Sequence, residues 1–128
     1  MPSWEHTLAT APTDPRRREL WLQHGAGFIM FQDIREYAIT RLDPSLDEPA
    51  RAAAIKGIND AVYGLMMVID GVSGGLGDGT RTLELDLRVR LREGDAIVAE
   101  LPLREGDGMC MGYHSWLNGD FGEDPVAK

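Results

Sequence analysis

The sequence holds a single cysteine, Cys110, in 128 residues. One thiol excludes an internal disulfide framework and leaves the fold to rest on its apolar core, and a reducing compartment is the expectation. Long apolar runs are also missing. The longest, near Leu65 to Ile69, falls far short of the ~20 residues that cross a bilayer. The opening Met1-Pro2-Ser3-Trp4-Glu5-His6 has no basic start and no apolar stretch before a small-residue cleavage site, so no secretory signal is read. A cytoplasmic protein with no membrane partner is expected. Basic residues are outnumbered by acidic ones, 13 to 21, for a net charge of −8, and such a field repels nucleic acid and anionic membranes. Two local basic clusters, Arg16-Arg17-Arg18 and Arg88, Arg90 and Arg92, have no aromatic residues between them to stack bases, so no nucleic-acid partner is expected.

What is present reads as one α+β domain over residues 1–128, with residues 1–13 a loose N-terminal arm of Pro, Ser, Thr and Ala. Asp14 can cap a helix whose first position suits Pro15. Phe28, Phe31, Ile34, Ala38 and Leu42 recur three and four residues apart, which predicts one buried face. Gly25 and Gly27 either break this helix or permit a close contact. Asp43-Pro44 ends it. A second helix starts near Asp47 or Glu48 with Pro49 in its first turn. Ile55, Ile58, Val62, Leu65 and Ile69 form a stripe of large apolar residues, and Ala50, Ala54, Gly57, Ala61, Gly64 and Val68 form an adjacent stripe of mostly small ones. A helix this apolar is expected to be buried on two sides and to centre the core.

After a glycine-rich connector, Leu83, Leu85, Leu87, Val89 and Leu91 alternate with polar residues, the pattern of a strand with one wet face. A three-residue turn, Glu93-Gly94-Asp95, would set Leu91 opposite Ile97, Val89 opposite Ala99 and Arg88 opposite Glu100. A two-residue Gly94-Asp95 turn would mix the faces, because a slip of one residue turns every side chain over. Pro102 restricts the second strand to an edge. The expected architecture is therefore two long helices packed on a small antiparallel sheet containing this β-hairpin.

No catalytic or cofactor motif is present, and no cofactor or metal is expected. The connector lacks the Gly-Lys-Ser/Thr opening of a helix that a phosphate cradle requires, and Val72 and Gly74 stand where a calcium loop needs oxygen ligands. The tail carries the most chemically capable set: Asp107, Cys110, His114, Asp120, Glu123 and Asp124. A short helix from about Met109 to Leu117 would put Cys110 and His114, four apart, on one face. That spacing suits a thiol–imidazole nucleophile or half of a metal site, with Asp107 and Asp120 as candidate carboxylates. Against it, an isolated cysteine commonly serves as a small buried hydrophobe.

The run Ala54-Ile55-Lys56-Gly57-Ile58-Asn59-Asp60-Ala61-Val62, continued through Ile69-Asp70-Gly71-Val72-Ser73-Gly74, the hairpin and Gly106-Asp107-Gly108-Met109-Cys110-Met111-Gly112-Tyr113-His114, resembles a small uncharacterised family of bacterial proteins. The helix ending in Ile-Asp-Gly also resembles some bacterial immunity-type proteins. An ordinary core, the absence of an assembled catalytic set and the acidic charge lead to the expectation of a non-enzymatic binding or accessory protein that acts on another protein; the immunity-type resemblance implies a basic partner and carries over no catalytic residues. The rival expectation is a small metal-binding or hydrolytic enzyme centred on Cys110 and His114. A homodimer through the second helix or the hairpin edge is a further expectation.

Overall fold

A computed structural model describes residues 1–128. The protein is α+β, combining helices with two small antiparallel two-stranded sheets. Helix α1 (Pro15–Met30) starts where Asp14 accepts the Arg17 backbone N–H at 2.9 Å, with Pro15 at the first helical position. It runs unbroken through Gly25 and Gly27 into a π-helical segment, Phe31–Glu36, and a last turn, α2 (Tyr37–Thr40). Helix α3 (Glu48–Ile69) is capped by the Asp47 carboxylate, which accepts the Ala50 N–H.

Strands β1 (Leu76–Gly77) and β2 (Thr82–Leu83) form a short exposed arm, β3 (Arg88–Glu93) and β4 (Ala96–Pro102) form the main hairpin, and α4 (Met109–Leu117) closes the chain.

The core is a cluster of Ala26, Phe31, Val62, Met66, Ile69, Leu103, Met109, Tyr113 and Trp116, contributed by α1, the π segment, α3, the end of the hairpin and α4. A smaller cluster of Trp21, Leu22 and Leu101 joins α1 to the hairpin. Trp116 is the tightest fit. Its indole lies between Gly27 of α1 and Gly112 of α4, where an added Cβ on either glycine would come no further than 2.7 Å from three ring atoms. Gly27 is thus a close-approach residue and not a break.

Several expectations are corrected. The N-terminal residues are tied down: the Asp33 carboxylate accepts the Ser3 N–H at 2.8 Å and the Ser3 hydroxyl, and Thr7 and Ala9 exchange backbone hydrogen bonds with Ala127 and Pro125. Ile34, placed on the buried face by its spacing, is exposed, because the wider π turn shifts the helical phase there. The long strand from Leu83 to Leu91 is two pieces, and Leu83 and Leu85 are exposed.

The hairpin uses the two-residue turn after all, pairing Glu93 with Ala96 and Arg92 with Ile97. A bulge at Val98 then restores the parity, so Leu91 meets Ala99, Val89 meets Leu101, and Arg90 instead of Arg88 stands opposite Glu100. One inserted residue does what the longer turn was expected to do.

The largest correction concerns α3. Only Val62, Met66 and Ile69 are buried along its 22 residues, so it is a one-sided core element. Its small-residue stripe faces outward: Ala50, Gly57 and Ala61 are exposed, and a Cβ added at Gly57 or Gly64 would meet nothing within 4 Å. By length and mean hydropathy α3 also satisfies the requirement for a membrane span.

Candidate functional site

The chemistry-bearing residues of the tail converge only in part. Helix α4 spans Met109–Leu117 and ends at Asn118 and Gly119, the latter at φ +78°, as the spacing predicts. Its N-cap position is Gly108, which has no side chain to satisfy the first helical N–H groups. The Asp70 carboxylate, arriving from the end of α3, does so instead. One oxygen accepts the Met109 N–H at 2.7 Å and the other the Cys110 N–H at 2.9 Å. An anion at this end of a helix is favoured by the dipole as well as by the two hydrogen bonds.

This cap adds to what burial does to Cys110. A thiol in the first turn of a helix is ordinarily pushed toward thiolate, but here the positive end of the helix is already occupied by Asp70. Burial pushes the Cys110 thiol up from its ordinary value, and the hydrogen bond and negative charge of Asp70 push it further. Tyr63, on α3, flanks the thiol; the Cys110 side chain is the main cause of an upward shift of its phenol. Cys110 is therefore held as a neutral thiol.

His114 shares the α4 face with Cys110, as expected. It is exposed, and its ring packs 5.8 Å from that of Tyr63 and 5.4 Å from that of Tyr113. Neither nitrogen has a carboxylate partner among the hydrogen bonds of the site. Asp107 is committed to Arg16, with both of its oxygens on the guanidinium at 2.7 and 2.8 Å. Asp120 accepts the Gly122 N–H in its own turn, Glu123 pairs with Arg17, and Asp124 accepts the Val126 N–H. The basic start of α1 thus finds its acidic partners in the tail of its own chain. No three His, Cys, Asp or Glu side chains come together as metal ligands would.

Three residues at this end of the molecule were not singled out by the sequence. Asp70 reads there as a helix stop, although its distance of seven from Tyr63 puts the two on one face of α3, and the lack of a capping side chain at Gly108 calls for an acceptor from elsewhere. Gln23 is 2% exposed. Its amide accepts the Asp107 N–H at 2.7 Å and donates to the Gly108 carbonyl at 3.2 Å, fixing the loop ahead of α4. His24 accepts the Trp116 indole N–H at Nδ1, 3.0 Å away. Burial draws its imidazole down from 6.5, against the upward pull of Asp120 and Asp107.

The clefts lie away from α4. One, of about 210 Å³, opens between the N-terminal turn and the π segment and is lined by Met1, Trp4, Asp33, Glu36 and Tyr37 among others. A second, of about 170 Å³, lies between Trp4, Leu8, Phe28 and Val126. No protein-family model, no curated protein and no solved structure matches this chain.

Proposed function

We propose that this chain is a non-enzymatic binding or accessory protein that acts by presenting its surface to another protein. The observation that carries this reading is the contrast between its chemistry and its surface. The one candidate nucleophile is kept neutral by burial and by Asp70, and the carboxylates proposed as its partners are spent on Arg16 and on local turns. Large apolar side chains, meanwhile, stand in solvent: Trp4, Val72, Leu76 and Leu83 are each at least 70% exposed. Leu76 and Leu83 stand side by side across the β1–β2 arm, and apolar side chains grouped at a surface mark interaction sites in soluble proteins.

The charge of −8 favours a partner with a basic face, and the immunity-type resemblance points the same way. Association with such a partner is steered electrostatically and slows as salt rises. The test is capture on the immobilised protein at low and high salt, run in parallel with a Cys110→Ala variant. A partner retained by both proteins, with a salt-sensitive on-rate, is the expected result. No captured protein at low salt, or a capture abolished by Cys110→Ala, refutes the reading.

A further inference from the structure

The unpartnered face of α3 is the largest feature that the fold leaves unused. A folded monomer of 14.1 kDa exposes about 6,700 Å². This chain exposes 8299 Å², a surplus of roughly 1,600 Å², whereas a standard interface covers about 800 Å² per partner. The surplus is therefore sufficient for a stable interface. Part of it belongs to the arm around β1 and β2, and part to the outward side of α3, which lies roughly 130° around the helix from Val62, Met66 and Ile69 at 3.6 residues per turn.

That side of α3 is built for a close neighbour that the chain itself does not supply. Gly57 and Gly64 weaken the helix relative to alanine, yet nothing within 4 Å makes use of the missing Cβ at either position. The order of the stripe then selects the neighbour. Ala50, Ala54, Gly57, Ala61, Gly64 and Val68 are spaced four, three, four, three and four. The series reads the same from both ends, with its centre at Asn59. A two-fold axis there, with the helices antiparallel, sets Gly57 against Ala61 of the other copy, Ala54 against Gly64 and Ala50 against Val68. Small residues then meet small residues along the middle of the contact, with Val68 over Ala50 at each end, and the mean step of 3.6 keeps the stripe on one line of a straight helix. An isologous contact requires this kind of self-complementarity.

Charge does not oppose the pairing at this face. The chain carries −8, but within α3 Glu48 and Asp60 are balanced by Arg51 and Lys56. A lipid surface fits less well, because Lys56, Asn59 and Asp60 sit in the middle of the helix, where a bilayer is most costly to polar groups.

We propose that a second copy of this chain covers the outer face of α3, forming an antiparallel α3–α3 dimer about a two-fold axis near Asn59. The inference rests on the reading of this protein as one that acts through its surface, and it commits one of those surfaces to self-association. The test is solution mass by sedimentation equilibrium on the full chain at micromolar concentration, for wild type, Gly57→Leu, Ala61→Lys and an off-seam control, Ala52→Leu. All three positions are exposed, and circular dichroism reports whether each variant keeps its helices.

The expected result is a wild-type and Ala52→Leu mass of twice 14.1 kDa, falling to 14.1 kDa in Gly57→Leu and Ala61→Lys with helical signal retained. Should one seam variant fail to fold, the other carries the comparison, and a monomeric wild type alone overturns the proposal. So does a dimer that survives either folded seam variant. A monomer that co-floats with phosphatidylglycerol vesicles overturns it in favour of lipid. A monomer that still captures a protein partner overturns the dimer and leaves the proposed function standing.

Discussion

Replacing Gly112 with alanine tests the central packing claim directly. Helix propensity alone predicts that Gly112→Ala stabilises the protein by about 1 kcal/mol. The structure predicts the reverse. The new methyl would fall within 2.7 Å of the Trp116 ring, and the ring has nowhere to go. It is 2% exposed, stacked on Phe121, edge-on to Phe31, and tied through its N–H to His24. Overpacking of this kind costs about 1–3 kcal/mol, and a displaced indole also loses a hydrogen bond worth about 1 kcal/mol. Set against the propensity gain, the net destabilisation is about 2 kcal/mol. Urea unfolding followed by circular dichroism reads that as a midpoint about 1 M lower for a typical small-protein slope. In a Trp116→Phe background the smaller ring withdraws from the methyl, so the cost of Gly112→Ala should largely disappear, and a double-mutant cycle measures that coupling. A neutral or stabilising Gly112→Ala, or costs that simply add, would refute the description of Trp116 as clamped between two glycines.

Three further outcomes follow from the groups around α4. Gln23→Leu should destabilise by about 2 kcal/mol in the same urea assay, because it leaves the Asp107 N–H without its acceptor; an unchanged midpoint would mean that water replaces the amide. Asp70→Asn removes the charge that helps hold the Cys110 thiol up, so alkylation by iodoacetamide at neutral pH should speed up, and a rate equal to wild type contradicts the account of the cap. His24 has a folded value drawn below 6.5, so as the pH falls through 6.5 the unfolded chain takes up a proton that the folded chain refuses, and stability declines until the folded value is reached. Above 6.5 this contribution is flat. The difference between wild type and His24→Gln in urea midpoint should therefore depend on pH below 6.5 and not above it; a difference that is constant across that range counts against the shift.

The parts of this fold that could be read from the sequence are those set by local chemistry. Asp14-Pro15 and Asp47 start their helices as capping rules require, and α4 begins and ends at the residues its pattern indicates. The hairpin faces were legible from alternation, but the route to them was not. A bulge at Val98 and a longer turn give the same parity, and only the backbone distinguishes them. The π segment was hidden for a related reason: Ile34 fits an α-helical stripe, and nothing in the residue types signals the wider turn. The α3 stripes were correctly identified, while their burial was not, since an apolar face specifies that it needs a partner but not whether its own chain provides one. At the candidate site, the i, i+4 spacing of Cys110 and His114 was correct as geometry. What holds the thiol up beside its burial is Asp70, forty residues earlier in the chain, and a contact at that separation leaves no periodic trace.

The π segment between α1 and α2 can be regarded as a phase adjuster. A helix that kept strict α-helical winding from Pro15 to Thr40 would present a single stripe along one line, yet this one has to address α4 and the hairpin with its first half and α3 with its second. Widening the winding over Phe31–Glu36 rotates the later residues relative to the earlier ones and aims each half at its own neighbour. The length of this stretch is therefore fixed more tightly than its composition. A conservative substitution at Gln32 would alter one side chain, whereas deleting a single residue anywhere in the segment would turn Tyr37, Ala38 and Ile39 by about a quarter of a turn and detach Arg35 from Asn59 on α3. Insertions and deletions, not point changes, are the errors this part of the molecule cannot absorb.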